Sequence, residues 1–152
     1  MLSFAIRALE QGAIQVDSVL AADDAVWSDG DVRPISGVRV TGRVSGAGSG
    51  RFYFSGDFEG SAAGECRRCL APAEYGVKGE AHFIYAEAGD ETADEPDVYE
   101  LEEGGKMLDL RPAIREQWLL DASVLPLCRP DCKGLCPVCG ADLNAGPCAH
   151  SA

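Results

Sequence analysis

The chain has 152 residues, 46% of them hydrophobic, with a formal net charge of -12. That size suits one domain with at most a small appendage, and the apolar share suffices for a real core. No run approaches the roughly 18 apolar residues of a membrane-spanning helix, and a field of this sign repels phosphate, which disfavours both membrane insertion and general coating of nucleic acid.

In chain order, the first part reads as β-structure. Phe4, Ile6 and Leu9 open a short apolar segment, while Arg7 and Glu10 interrupt it and leave no signal-peptide core. A cytoplasmic location is therefore expected. Ile14 to Asp17 alternates, and Val38 to Val44 alternates again before the glycine-rich turn Gly46–Gly50. Arg51 to Phe58 is its expected hairpin partner. A further strand pair flanks Cys66 and Cys69, running through Glu65 and then from Tyr75 to Tyr85. His82 falls within that alternation as an ordinary half-buried strand residue. Between Glu87 and Glu103 stand nine acidic residues and no basic one, which predicts a solvated loop around 89–97. Val98 to Glu102 returns to a strand at the sheet edge.

One helix is well signalled over about 108–121. Asp109 can cap it, and Pro112 falls in the first turn, where a missing N–H costs little. Leu110, Ile114 and Trp118 recur every four residues, and Ala113 and Leu120 widen that stripe. Trp118 belongs to the core on this reading. The fold class expected is α+β, mainly β: an antiparallel sheet or partly open barrel with one main C-terminal helix. Residues 1–121 would form this β-rich domain, and 122–152 a cysteine-rich tail packed on it.

The tail holds five of the seven cysteines but only Val124, Leu125, Leu127, Leu135, Val138 and Leu143 as large apolar residues. So short a segment cannot bury enough surface to order itself. A structural zinc ion contributes about 10–16 kcal/mol of folding free energy at neutral pH, the scale of what is missing. In a reducing compartment, clustered thiols bind metal more often than they form disulfides.

Cys136-Pro-Val-Cys139-Gly140 is a knuckle, two thiolates on a tight turn. Pro137 pre-sets the turn, Gly140 takes a left-handed conformation, and the turn amides face the sulfurs. Cys66-Arg-Arg-Cys69 is a candidate second knuckle. A redox pair would open a helix, whereas a strand-like run follows Pro72. Cys66, Cys69, Cys128, Cys132, Cys136, Cys139, Cys148 and His150 make eight candidate ligands, enough for two four-coordinate zinc ions. One pairing joins Cys66 and Cys69 to Cys136 and Cys139, leaving Cys128, Cys132, Cys148 and His150. The other confines a single site to the tail, where short loops close more easily, and leaves the first pair free of metal. Zinc is preferred over iron because no flavin or nicotinamide signature accompanies the thiols.

Two features bear on activity. The chain has two histidines and neither a His-Glu-x-x-His nor a His-x-Glu with Cys-x-x-Cys, and a cysteine-saturated shell favours a closed structural site over a zinc enzyme. The alternative to a structural role is a zinc-thiolate redox sensor that releases its ion on oxidation.

Glu65-Cys66-Arg-Arg-Cys69-Leu70, Leu108-Asp109-Leu110, Leu125-Pro126-Leu127-Cys128 and Gly134-Leu-Cys136-Pro-Val-Cys139-Gly140-Ala-Asp-Leu143-Asn144 together resemble the YceD family, large ribosomal RNA subunit accumulation proteins of bacteria and plastids. The likeness runs in order from about Cys66 to Cys148. It implies a role in making or stabilising 23S rRNA, with large-subunit rRNA or a basic ribosomal protein as partner and no small-molecule substrate. Some members keep the first cysteine pair and lack most of the tail cysteines. The ending Cys148-Ala-His150 departs from a Cys-x-Cys ending in related sequences, so His150 would replace a thiolate. Local phosphate contact would fall to Arg67 and Arg68 beside the first pair, with Arg111, Arg115, Arg129 and Lys133 near the helix and tail.

Overall fold

Alternating apolar and polar side chains carry four long strands into one sheet. The computed structural model describes residues 2–87, 89–92, 94–101, 104, 106–122 and 126–150. In chain order the elements are β1 (Ser3–Ala5), α1 (Ile6–Gln11), β2 (Ile14–Leu20), β3 (Val38–Gly48), β4 (Arg51–Glu65), β5 (Pro72–Ala86), β6 (Val98–Glu100), β7 (Met107–Asp109) and α2 (Arg111–Ala122). The main sheet has the order β2-β3-β4-β5-β6, and β1 pairs with β7 in a separate two-stranded ribbon. β2 to β5 are antiparallel neighbours, as the hairpin pattern requires, and the sheet stays open rather than closing into a barrel.

Several expectations need correcting, among them the start of the C-terminal helix, since Leu108 and Asp109 lie in β7 and α2 begins at Arg111. The sheet is mixed, because β6 pairs with β5 in parallel, Ile84 opposite Val98. The acidic segment crosses back before β6 begins, so the chain re-enters in the direction of β5. At the start, Ile6 to Gln11 is helical rather than extended. Leu9 is buried there and Ile6 packs beside the core, the spacing of one helical face. Part of the expected edge strand, Glu102, lies outside the described residues, as do Val124 and Leu125.

One face of the sheet builds the core. Val16, Leu20, Val38, Val40, Val44, Phe54, Phe58, Val77 and Phe83 point inward, while Arg39, Glu59, Glu80 and His82 point outward. His82 is thus more exposed than expected, and its Nδ1 lies 3.0 Å from the Tyr53 hydroxyl and 3.1 Å from Ser55 Oγ. Gly42 and Gly56 are cross-strand partners beneath the Phe54 ring. A Cβ at Gly56 would collide with the Thr41 carbonyl and sit 2.7 Å from Gly42 Cα, so the strand crossing there tolerates no side chain.

α2 covers the inner face. Leu110, Ile114 and Trp118 are fully buried and Ala113 is nearly so, but Leu120 is 64% exposed and does not belong to the stripe. Leu119 packs against the core in its place. The Leu110 carbonyl accepts the first helical bond, from Ile114 N–H, and Asp109 Oδ1 accepts from Arg111 N–H at 3.0 Å. Trp118 Nε1 donates to the Val32 carbonyl at 2.8 Å and Trp27 Nε1 to the Ala21 carbonyl at 2.8 Å, which fastens the long β2–β3 connection over the helix. Among the described residues, no helix is long and apolar enough to cross a membrane.

Candidate metal centre

The β4–β5 connection is a tight turn built on Cys66 and Cys69. Cys66 N–H donates to the Ala71 carbonyl at 2.8 Å, and the Cys66 carbonyl accepts from Leu70 N–H at 2.9 Å. In the tail, Cys136 N–H donates to the Ala141 carbonyl at 2.8 Å, and the Cys136 carbonyl accepts from Gly140 N–H at 2.9 Å. An amide two residues on faces the first sulfur in each case, Arg68 N–H to Cys66 Sγ at 3.5 Å and Val138 N–H to Cys136 Sγ at 3.4 Å. The residue after the second cysteine is left-handed in both, Leu70 at φ 64° and Gly140 at φ 75°. The two segments are the same knuckle, bond for bond.

The tail returns to the first knuckle. Tyr75 hydroxyl donates to the carbonyl of Ala122 at the end of α2 (2.6 Å), and Arg67 N–H donates to the Pro126 carbonyl at 2.9 Å. Arg68 then reaches across to the Cys132 carbonyl with Nη1 at 3.0 Å. These contacts set Cys128 and Cys132 against Cys66 and Cys69. The Cys66–Cys132 and Cys69–Cys128 sulfur pairs are both 3.6 Å apart. Four thiolates about 2.3 Å from one tetrahedral zinc would stand roughly 3.8 Å from each other, so the donor set fits such an ion.

The eight donors fall into two groups of four, Cys66, Cys69, Cys128, Cys132 and Cys136, Cys139, Cys148, His150, each with all donor atoms within 4.8 Å of one another. This is neither of the pairings that spacing suggests. The first knuckle closes on Cys128 and Cys132 rather than on the second knuckle, and it is not left without partners. The second group lies wholly within the tail. The reason is the docking just described: the tail meets the β4–β5 turn with its first two cysteines, before the second knuckle begins.

The groups differ in setting. Cys66, Cys69 and Cys132 are buried and, with Ala71, Leu127 and Leu135, form a small apolar cluster separate from the main core. In the outer group only Cys136 is buried, while Cys139 and His150 are exposed. Cys69 N–H is the largest influence bringing the Cys66 thiol down to about 6, against burial, with Cys128 and Arg68 amides adding to it. Cys139 N–H, then Val138 N–H, bring Cys136 to about 7. Asn144 leads the effects that lower Cys132, and burial pushes Cys128 up to about 12. Each group thus carries a thiol poised to ionise at neutral pH, the form a metal requires.

Of the basic residues singled out, Arg67, Arg68, Arg129 and Lys133 gather around the inner group and are exposed. Arg129 Nη2 donates to Asn144 Oδ1 at 2.8 Å. Arg111 and Arg115 lie away from it on α2. Arg111 is bound to Asp109 and Asp24, and Arg115 to Asp31 by two bonds of 2.7 and 2.9 Å. Sequence reasoning missed Asn144 as a site residue. Its amide reaches Cys132 of the inner group from the loop of the outer one, and only the Asp142-Leu143-Asn144 turn pattern marked it.

These features define a mainly β protein whose open sheet carries a C-terminal module of paired thiol clusters. The chain belongs to the YceD family, described as large ribosomal RNA subunit accumulation protein YceD, whose profile matches residues 54–152. It is 33% identical over 135 residues to an uncharacterised protein of Mycobacterium tuberculosis and equally to one of Mycobacterium bovis, a match covering 85% of this chain. The chain spans 58% of the length of those relatives. It is also 37% identical over 67 residues to the large ribosomal RNA subunit accumulation protein YCED homolog 1, chloroplastic, of Zea mays, covering 44% of this chain and 23% of that one. No solved structure matches the chain.

Proposed function

We propose that the chain is a non-enzymatic, zinc-binding factor of bacterial ribosome biogenesis that supports 23S rRNA accumulation and large-subunit assembly in the cytoplasm. The family supports the ribosomal role. The observation that carries the metal is the convergence of four thiolates from two segments, Cys66 and Cys69 with Cys128 and Cys132, at tetrahedral spacing. Residues 1–121 act as the β-rich body and 122–152 as the module that zinc fastens to it, with a second ion in the outer group. Zinc supplies charge neutralisation and a rigid tetrahedral node. The protein's part is to present ionised sulfurs, shield three of the inner four from water and hold the turns that aim them.

The partner is large-subunit rRNA, a basic ribosomal protein, or both together. Arg67, Arg68, Arg129 and Lys133 supply the local positive charge an RNA backbone would meet, and the remaining acidic surface suits a basic protein. The decisive measurement is metal content per chain in protein purified without added metal, for the native sequence, Cys66→Ser and Cys139→Ser. Two ions falling to one in either variant supports two sites. A metal-free native protein sinks the reading.

A further inference from the structure

Asn144 lies in the loop between Cys139 and Cys148, two ligands of the outer group, yet its side chain belongs to the inner one. Its Nδ2 donates to Cys132 Sγ at 3.3 Å. Its Oδ1 accepts from Lys133 N–H at 2.9 Å and from Arg129 Nη2 at 2.8 Å. The amide orientation follows from these partners, because the flipped form would face two donors with its own NH2 and leave the sulfur with an oxygen. Its backbone is fixed as well. Asn144 N–H donates to Asp142 Oδ1 at 2.9 Å, and Leu143 N–H donates to the Gly134 carbonyl at 2.9 Å beside the Leu135–Asp142 bridge.

Cys136 N–H adds a bond to the Ala141 carbonyl at 2.8 Å where the loop begins. Residues 141–147 contribute no residue to the buried core, and their far end is tied through Cys148 and His150. An ion in the outer group closes the loop at both ends. Without it, the loop is held by a few partly exposed hydrogen bonds, the kind that open most readily.

We propose that Asn144 is a positioning residue that couples the two sites, so that metal in the outer group tightens the hold of the inner group on its own ion. The inference rests on the metal reading of both clusters. Its physical content is that a ligand's outer hydrogen-bond partner is worth about 10–100-fold in metal affinity, and here that partner is delivered by the other site. Coupling of this kind is reciprocal, so an empty inner site also loosens the outer one.

The test uses the full chain loaded with cobalt(II), since four thiolates and three thiolates with one imidazole give distinguishable visible bands. Release of the inner ion to excess chelator is followed in the native protein, Asn144→Ala, Cys139→Ser and the double variant. Inner-site release about tenfold faster in each single variant, and no faster in the double variant, is the result expected. An unchanged rate in Asn144→Ala overturns the proposal, and so does a Cys139→Ser effect that persists in full without Asn144. Asn144→Asp keeps the acceptor for Lys133 and Arg129 but cannot donate to sulfur, and it too must release the inner ion faster. Fluorescence of Trp27 and Trp118, both buried in the main core, reports that the body is folded in every variant. If neither group takes up cobalt, the metal reading itself has failed and the coupling falls with it.

Discussion

Leu70 and Gly140 occupy the same place in two copies of one turn, and only one of them is suited to it. A side chain in the left-handed region costs about 1–2 kcal/mol, and nothing lies within 4 Å of a Cβ at Gly140. Gly140→Ala is therefore expected to lower stability by about 1 kcal/mol through backbone strain alone, read as a shifted urea midpoint of the metal-loaded protein. Leu70→Gly should move the midpoint the other way by a smaller amount, because glycine gives back part of the gain as unfolded-chain entropy. Leucine here is also why the first knuckle is harder to read in sequence than the second, whose glycine advertises the turn. Elsewhere, Arg115 holds the Asp31 carboxyl below its usual range, and Arg51 does the same to Asp90. A lowered folded-state value means stability that is present above the ordinary carboxylate value of about 4 and is lost as pH falls further below it. In Asp31→Asn that acid-dependent part should flatten in denaturant titrations run between about pH 4 and pH 2.

The Gly42–Gly56 crossing governs β3 and β4 as a pair. Gly56→Ala places a Cβ against the Thr41 carbonyl and 2.9 Å from the Phe54 ring, so backbone as well as side chain must shift. A loss of about 3 kcal/mol or more is expected, measured by thermal or urea unfolding, with no change in metal content. Strict alternation made β2 to β5 legible from sequence, and Leu110, Ile114 and Trp118 made α2 legible. Leu120 misled because it is apolar without lying on the helical face that Leu110 begins. The parallel entry of β6 was not legible, since a three-residue strand carries no mark of direction and depends on how the acidic connection returns. The eight donors could be counted from sequence, but their grouping could not. It depends on Tyr75 seizing the last residue of α2 and Arg67 the chain just after it, contacts that no local pattern encodes.

At the scale of the whole molecule, charge is divided unevenly. Four cations surround the inner thiols of a chain whose net charge is -12, and on the proposed function they form the face that meets ribosomal phosphate. Association with immature large subunits is then expected to weaken as salt rises to about 0.5 M, because exposed contacts are screened beyond a few ångströms. Arg67→Glu with Lys133→Glu should weaken it at low salt, whereas binding that ignores both changes would point to the acidic surface instead. The inner donors also join chain segments far apart, Cys69 and Cys128 being 59 residues from one another. An ion held there turns the intervening chain, β5, β6, β7 and α2, into a closed ring. By analogy with a disulfide of that span, the tie restricts the unfolded chain by about 4 kcal/mol, so chelation should destabilise a helix and strands that touch no ligand. A protease cut in the acidic connection would linearise the ring without releasing either piece: the two halves would stay joined by the metal as well as by the β1–β7 pairing and the buried face of α2, so that parting them would take a chelator and a denaturant together.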